Sequence, residues 1–325
     1  MASIKQFGID LGIYGSLAQP KTIIELAKFS EKVGFDSIWL ADHVVFPSAI
    51  NSKYPYSADG SFPAPLTEPL MEPLATMGVL VGVTERIKIG TAVLIIPYRN
   101  PVLLSRMLIT MDQFSEGRII LGAGVGWLQE EFQVMKTYDF EKRGIVTDEY
   151  IEIFKRLSKG GEISFDGQTY EFPKIYSIPG SHQKPHPPIL IGGIANPALR
   201  RVVKHGDGWL AVAIDKERMT ERLNTLKRIC DENDRKFEDL ELVYKIFVNP
   251  GEPRKGPFGD REVGSGSEQQ IIQDIRSAID SGFSKIVVRY RGDSSKEQMV
   301  QIERFADTII PNLSLIHISE PTRPY

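Results

Sequence analysis

Eight times along the chain a short β-prone run is followed by a helical pattern, and this alternation restricts the possible folds more than any other feature. The runs are "FGIDL", "DSIWL", "RIKIGTAVL", "RIILGAGV", "PPILIGG", "DGWLAVAI", "LELVYKIFV" and "KIVVRY". The first leads to a helix from about Pro20, with Ile23, Leu26, Ala27, Ser30 and Val33 on one face and a stop at Gly34. Helices are likewise predicted from Leu70 to Val83, and from Asn100 with Leu104, Met107, Leu108 and Met111 inward. Strands separated by helices pair in parallel, and eight such units close more readily into a barrel than into an open sheet. The predicted class is α/β, a (β/α)8 TIM barrel with insertions near its C-terminal mouth.

The glycines of "IILGAGVGWLQEEF" raise a competing idea and then exclude it. A dinucleotide fold needs G-x-G-x-x-G directly after its first strand. Gly122, Gly124 and Gly126 give G-x-G-x-G, and about a third of the chain precedes them. These glycines are read as the open end of an inner strand, where backbone without side chains makes room for a flat ligand.

One domain is expected over residues 1–312, interrupted at about 160–187 and 249–266; the first interruption holds "ISFDGQTYEF", a hairpin signal at Asp166 and Gly167. A long Pro-rich loop spans 47–69. Residues 313–325 contain "LSLIHISEPTR", which matches the translation of a transposon-end adapter used in sequencing libraries, so this tail is expected to lie outside the fold.

A net charge of -3 with scattered Lys and Arg leaves no electrostatic footprint for nucleic acid or an anionic membrane, so the expected partner is a small-molecule substrate. The single cysteine, Cys230, lies in a helical pattern and reads as a spectator thiol. The N-terminus has no signal-peptide pattern and no window holds about 18 apolar residues, so the chain is expected to be cytoplasmic.

Function in such a barrel belongs at the C-terminal strand ends. Asp42 and His43 follow the second strand; Asp42 suits a cap, while an imidazole at the mouth can move a proton near neutral pH. Gly192 and Gly193 precede a helix with Arg200 and Arg201 one to two turns on, a pattern able to hold phosphate on backbone N–H groups. In "YRNPV", Asn100 reads as an N-cap with Pro101 at the first helical position, and Arg99 as a solvated flank. No metal, Walker or serine-hydrolase motif occurs, so the hard chemistry is assigned to a bound cofactor.

The segments "GFDSIWLADHVVFP", "ERIKIGTAVLIIPYRNPVLLSRMLITMDQFSEGRIILGAGVGWLQEEF", "EKRGIVTDEYIEIF" and "KPHPPILIGG" through "DGWL" resemble the bacterial luciferase-like superfamily, and within it the probable coenzyme F420-dependent oxidoreductases. The resemblance implies catalytic roles for His43 and Asp42 beside a flavin-like ring. It implies cofactor contacts by Thr91, Ala92 and Val93, by Gly124, Val125 and Gly126, and at the phosphate by Ile191, Gly192 and Gly193. The implied cofactor is coenzyme F420, transferring hydride to or from a small organic molecule. The alternative is reduced FMN, used by a dioxygen-activating monooxygenase with a separate flavin reductase. Deazaflavin-using relatives carry a non-proline cis peptide on strand three, here Ala92–Val93. Some relatives also place an acidic residue where this chain has Trp127, so that proton donor is expected to be missing or supplied elsewhere. A homodimer is implied as an option.

Two readings of other classes compete. A phosphate-binding lyase or isomerase would bring a barrel-strand lysine or paired carboxylates to the mouth, and none stands out; a non-catalytic flavin-binding barrel would have no need of His43.

Overall fold

The computed structural model describes residues 6–57, 59–62, 66–212, 214–256, 261–290 and 294–314. Its frame is one closed ring of eight parallel strands: β1 (Gln6–Asp10), β2 (Ser37–Leu40), β3 (Lys88–Thr91), β5 (Ile119–Gly124), β8 (Ile189–Gly192), β9 (Gly208–Val212), β10 (Glu241–Pro250) and β12 (Lys285–Tyr290). Pairing of β12 with β1, Phe7 against Ile286, closes the ring. β4 (Leu94–Ile95) continues the third strand after a break, and β11 (Ser265–Gly266) adds to the far end of β10.

Helices α1 (Pro20–Lys32), α2 (Pro73–Val83), α3 (Pro101–Phe114), α5 (Arg143–Lys159), α6 (Asn196–His205), α7 (Lys216–Asp231), α8 (Glu268–Asp280) and α9 (Ser295–Arg304) follow the strands in turn, and short α4 (Gln129–Met135) stands before α5. The predicted inward face of α1 is buried at Ile23, Leu26, Ala27 and Ser30. Asn100 caps α3, its Oδ1 accepting from Val102 and Leu103 N–H at 3.0 and 3.1 Å. α2 begins at Pro73 rather than Leu70, because Glu72 caps it by accepting from Ala75 N–H at 2.6 Å.

Trp39, fully buried on β2, fills the lower barrel; a Cβ on Gly8 or Gly90 would lie 2.4 or 2.8 Å from its ring atoms. Its Nε1 donates to Ser37 Oγ at 2.8 Å, so a large ring enters the core with its polar atom satisfied. Ala92, Ile120, Leu190, Leu210, Val243 and Val287 complete this inner layer.

The predicted hairpin forms from β6 (Gly161–Asp166) and β7 (Glu171–Ser177). It leaves the end of α5 and lies along that helix, where Glu149 accepts from the N–H groups of Gln168 and Thr169 at its turn. The second interruption lies between β10 and α8, on the mouth side, and includes residues 257–260, outside those described. Among the described residues no helix is long and apolar enough to cross a membrane.

At the C-terminus α10 (Ile310–Ser314) follows a π-helical turn, and Leu313 packs buried against the core. Ordered chain thus extends past residue 312, where the expected tail begins; an apolar side chain at the end of a helix buries itself wherever a core edge is in reach. Residues 315–325 lie outside those described.

Candidate active site

Strands β3 and β5 fall out of step near the mouth. Gly90 pairs with Ile120, but Leu94 pairs with Ala123, so the third strand carries one extra residue. The Ala92–Val93 peptide within this bulge is cis, as the resemblance implies. Thr91 bridges the gap with its side chain: Oγ1 donates to Gly122 O at 2.8 Å and accepts from Gly122 N–H at 3.0 Å. Thr91 is therefore a buried tie between strands.

Val93 projects into the space that the neighbouring glycines leave. A Cβ on Gly124 would stand 2.4 Å from Val93 Cγ2, and one on Gly192 would stand 2.5 Å from Val93 Cγ1. Part of the room expected at Gly124 is therefore occupied by Val93, which also lies against Gly192. Gly126, at φ 84°, turns the chain into α4. Val93, Val125, Gly126, Gly192 and Gly193 are all half-buried and form a rim, whereas Ala92 is inside the barrel and Ile191 joins the outer core.

Asp42 and His43 are adjacent in sequence and have different surroundings. The Asp42 carboxylate accepts from Arg99 at 2.6 and 2.9 Å and from Ile95 N–H at 2.7 Å. Arg99 also donates to Glu72 at 2.7 Å. Burial pushes the Asp42 carboxyl up, while Arg99 pulls it the other way; burial lowers Arg99, but Asp42 and Glu72 outweigh that and hold the guanidinium charged. A bidentate pair that also binds strand-three backbone acts as a strut, and these contacts engage both carboxylate oxygens of Asp42, for which the resemblance implied a catalytic role. Arg99 is correspondingly no solvated flank.

His43 is held by Glu131, on the first turn of α4 and itself fully buried. Nδ1 lies 2.7 Å from Glu131 Oε2, and since a carboxylate only accepts, Nδ1 carries the hydrogen. Nε2 is left as the atom able to exchange a proton. Three further donors converge on Glu131: Tyr98 OH at 3.0 Å, Val44 N–H at 2.7 Å and Val45 N–H at 3.2 Å. Burial first, then the charge of Glu131, raises the Tyr98 phenol above its ordinary value and keeps it a donor. An acidic residue thus stands four residues after Trp127, where its contacts make it an acceptor that holds His43. Sequence reading passed over Glu131 because only the turn at Gly126 brings α4 back over the second strand.

Below the rim lies a second buried charge group. Asp10 Oδ2 is 2.5 Å from Lys245 Nζ, and Oδ1 is 3.2 Å from Arg289 Nη1 and accepts from Gly12 N–H at 2.9 Å. Lys245 also donates to Ala92 O at 3.1 Å, which ties β10 to the bulge. Burial alone would raise Asp10, but Lys245 and Arg289 bring it below the usual carboxylate range. A barrel-strand lysine is therefore present after all; it was hidden inside the apolar run "LELVYKIFV", where alternation alone does not separate an inner from an outer lysine.

At the mouth end of β8, Gly193 adopts φ 107° and its carbonyl accepts from Trp209 Nε1 at 2.8 Å. α6 follows with Ala195 in the cap position and no side-chain cap. Arg201 points away, buried against Asp148 and Gly144 O, and Arg200 is exposed. The expected help from Arg201 is absent because its place on α6 faces α5.

A family profile described as luciferase-like monooxygenase matches residues 5–255. The chain is 33% identical to an uncharacterised protein of Mycobacterium tuberculosis over 209 residues, 64% of this chain and 71% of that one. It is 28% identical over 256 residues to an F420-dependent glucose-6-phosphate dehydrogenase of Amycolatopsis mediterranei, covering 76% and 67%. The fold superposes on an F420-dependent secondary alcohol dehydrogenase, solved with an F420-acetone adduct, at TM-score 0.76 and 17% identity, covering 95% of this chain and 99% of that one. With an eight-stranded barrel, a histidine at its mouth and a profile match over most of its length, the chain belongs to the luciferase-like monooxygenase family of oxidoreductases.

Proposed function

We propose that this chain binds coenzyme F420 over the barrel mouth and catalyses hydride transfer between that cofactor and a small organic substrate. The observation that carries the reading is the His43–Glu131 pair: a buried carboxylate that fixes the imidazole and leaves Nε2 to hold or deliver a proton.

The rim fits a flavin-type group. Val93, Val125 and Gly126 offer a half-exposed apolar edge for a ring, and Gly192, Gly193 and the uncapped start of α6 offer backbone N–H groups for a phosphate. Bound there, the cofactor supplies or accepts the hydride. The protein's share is to orient His43 through Glu131 and to brace strand three through Asp42–Arg99.

The family's description favours a second reading, a monooxygenase using reduced FMN from a separate reductase. A non-catalytic flavin-binding barrel would leave the His43–Glu131 pair without a task. Titration of the purified protein with F420, FMN and reduced FMN separates these cases. Saturable F420 binding is expected; binding of reduced FMN alone, with dioxygen uptake, would overturn the proposal.

For the homodimer option, Val79 on α2 and Leu103 and Phe114 on α3 are exposed apolar residues on neighbouring helices. Light scattering of the purified protein tests it.

A further inference from the structure

His43 is ringed by aromatic side chains drawn from three parts of the chain. Ring centroids of Phe46 and Phe62 lie 5.0 and 5.1 Å from the imidazole, and those of Tyr14 and Trp127 each lie 6.3 Å away. Tyr54 closes the set, 5.1 Å from both Phe62 and Trp127. All five aromatic residues are only half-buried, unlike the fully buried Trp39 and Trp209. Rings that served only as core would be covered; these keep part of their surface open beside a titratable atom.

Three of these rings sit on the long loop after β2, whose start is held by Glu131 and whose middle is held by Glu130. Glu130 Oε1 accepts from Asn51 and Ser52 N–H at 2.8 and 3.0 Å, and Oε2 accepts from Ser52 Oγ at 2.7 Å. Ser52 Oγ in turn accepts from Gln129 N–H at 3.2 Å. Neighbouring residues of α4 therefore do paired jobs: Glu131 sets the imidazole and Glu130 sets the aromatic wall around it.

We propose that this wall selects a planar aromatic substrate, and that Glu130 is a positioning residue for it through the loop. Flat apolar rings match half-open aromatic faces, and the set also holds a cation against one of its rings, the Arg289 guanidinium 4.8 Å from the Tyr14 centroid and paired to Asp10. A saturated molecule of the same size would gain the apolar burial without the ring geometry.

The inference rests on the reading that this mouth is the active site, but its test needs no cofactor, so the two can fail separately. Calorimetric titration with 2-naphthol and with its saturated counterpart 2-decalol should show the aromatic probe bound about tenfold more tightly, the scale of one to two favourable ring pairs. Glu130→Ala should weaken 2-naphthol about tenfold, the scale of losing the loop's hydrogen bonds, and Glu130→Gln, which keeps an acceptor for the two N–H groups, should restore most of it. Acrylamide quenching of tryptophan fluorescence reports on the loop itself, since Trp127 is half-exposed while Trp39 and Trp209 are fully buried. It should rise in Glu130→Ala with the thermal midpoint unchanged. Equal affinity for the two probes would overturn the substrate class, and unaltered naphthol binding and quenching in Glu130→Ala would overturn the positioning role. If Glu130→Ala failed to fold, Ser52→Ala, which removes the hydroxyl alone, would carry the same comparison.

Discussion

The lower and upper halves of the barrel interior use the same device for different ends. Below, glycines at positions 8 and 90 let Trp39 fill the space, and the ring's one polar atom is met by Ser37. Above, glycines at 124 and 192 admit Val93, but the surrounding space holds Asp10, Lys245 and Arg289, with His43 and Glu131 at the rim. The lower half is stabilised mainly by apolar burial and close packing, although the buried Lys285, 5.8 Å from the Trp39 ring centroid, pairs there with Glu241 at 2.8 Å. The upper half buries charges, which costs desolvation that pairing only partly offsets. The upper half gathers Asp10, Lys245 and Arg289 into one cluster beneath the His43–Glu131 pair, against the Lys285–Glu241 pair below.

That contrast can be broken from either side. Asp10→Ala should have the largest effect, since it strands Lys245 and Arg289 without their carboxylate; removal of one member of a buried pair costs about 3–5 kcal/mol, and urea unfolding would measure it. Trp39→Ala should cost a comparable 3–5 kcal/mol or slightly less by opening a cavity in the lower half, while leaving the rim's hydrogen bonds intact. His43→Ala should spare stability yet cut turnover about 10²-fold, the ordinary scale of general acid–base help; steady-state kinetics with the accepted cofactor would check it, and full activity would remove His43 from the mechanism.

The smallest expected effect is on acid stability. Asp10 is depressed below its unfolded value, so its contribution is present above the ordinary carboxylate pKa of about 3.9 and is lost as pH falls through the lower folded value. Thermal midpoints measured downward from pH 5 should therefore drop less steeply in an Asp10→Asn protein that still folds. Trp39→Ala should keep the wild-type slope, because the indole does not titrate and the Asp10 cluster is left in place. A slope unchanged by Asp10→Asn would mean that other carboxylates dominate acid unfolding.

Much of this molecule was legible in its sequence for local reasons. The eight β-prone runs and the helices between them follow from period and punctuation, and the cap at Asn100 from its position before a proline. The Asp166–Gly167 turn is equally local. The position of His43 at a strand end also follows once the strands are counted. Asp42 illustrates the limit: residue type and place suggested chemistry, and only its contacts with Arg99 and Ile95 reveal a brace.

What the tertiary structure alone decided are the long-range pairings. Glu131 meets His43 across 88 positions of sequence, Glu130 meets Ser52 across 78, and Lys245 reaches the Ala92 carbonyl across 153. Alternation and turn chemistry describe neighbours along the chain, whereas these contacts exist because barrel closure brings distant strand ends to one rim. The sequence by itself determined that there would be a barrel with a histidine at its mouth. Closure of the ring, the extra residue in strand three and the turn at Gly126 decided which carboxylate holds that histidine and which rings surround it.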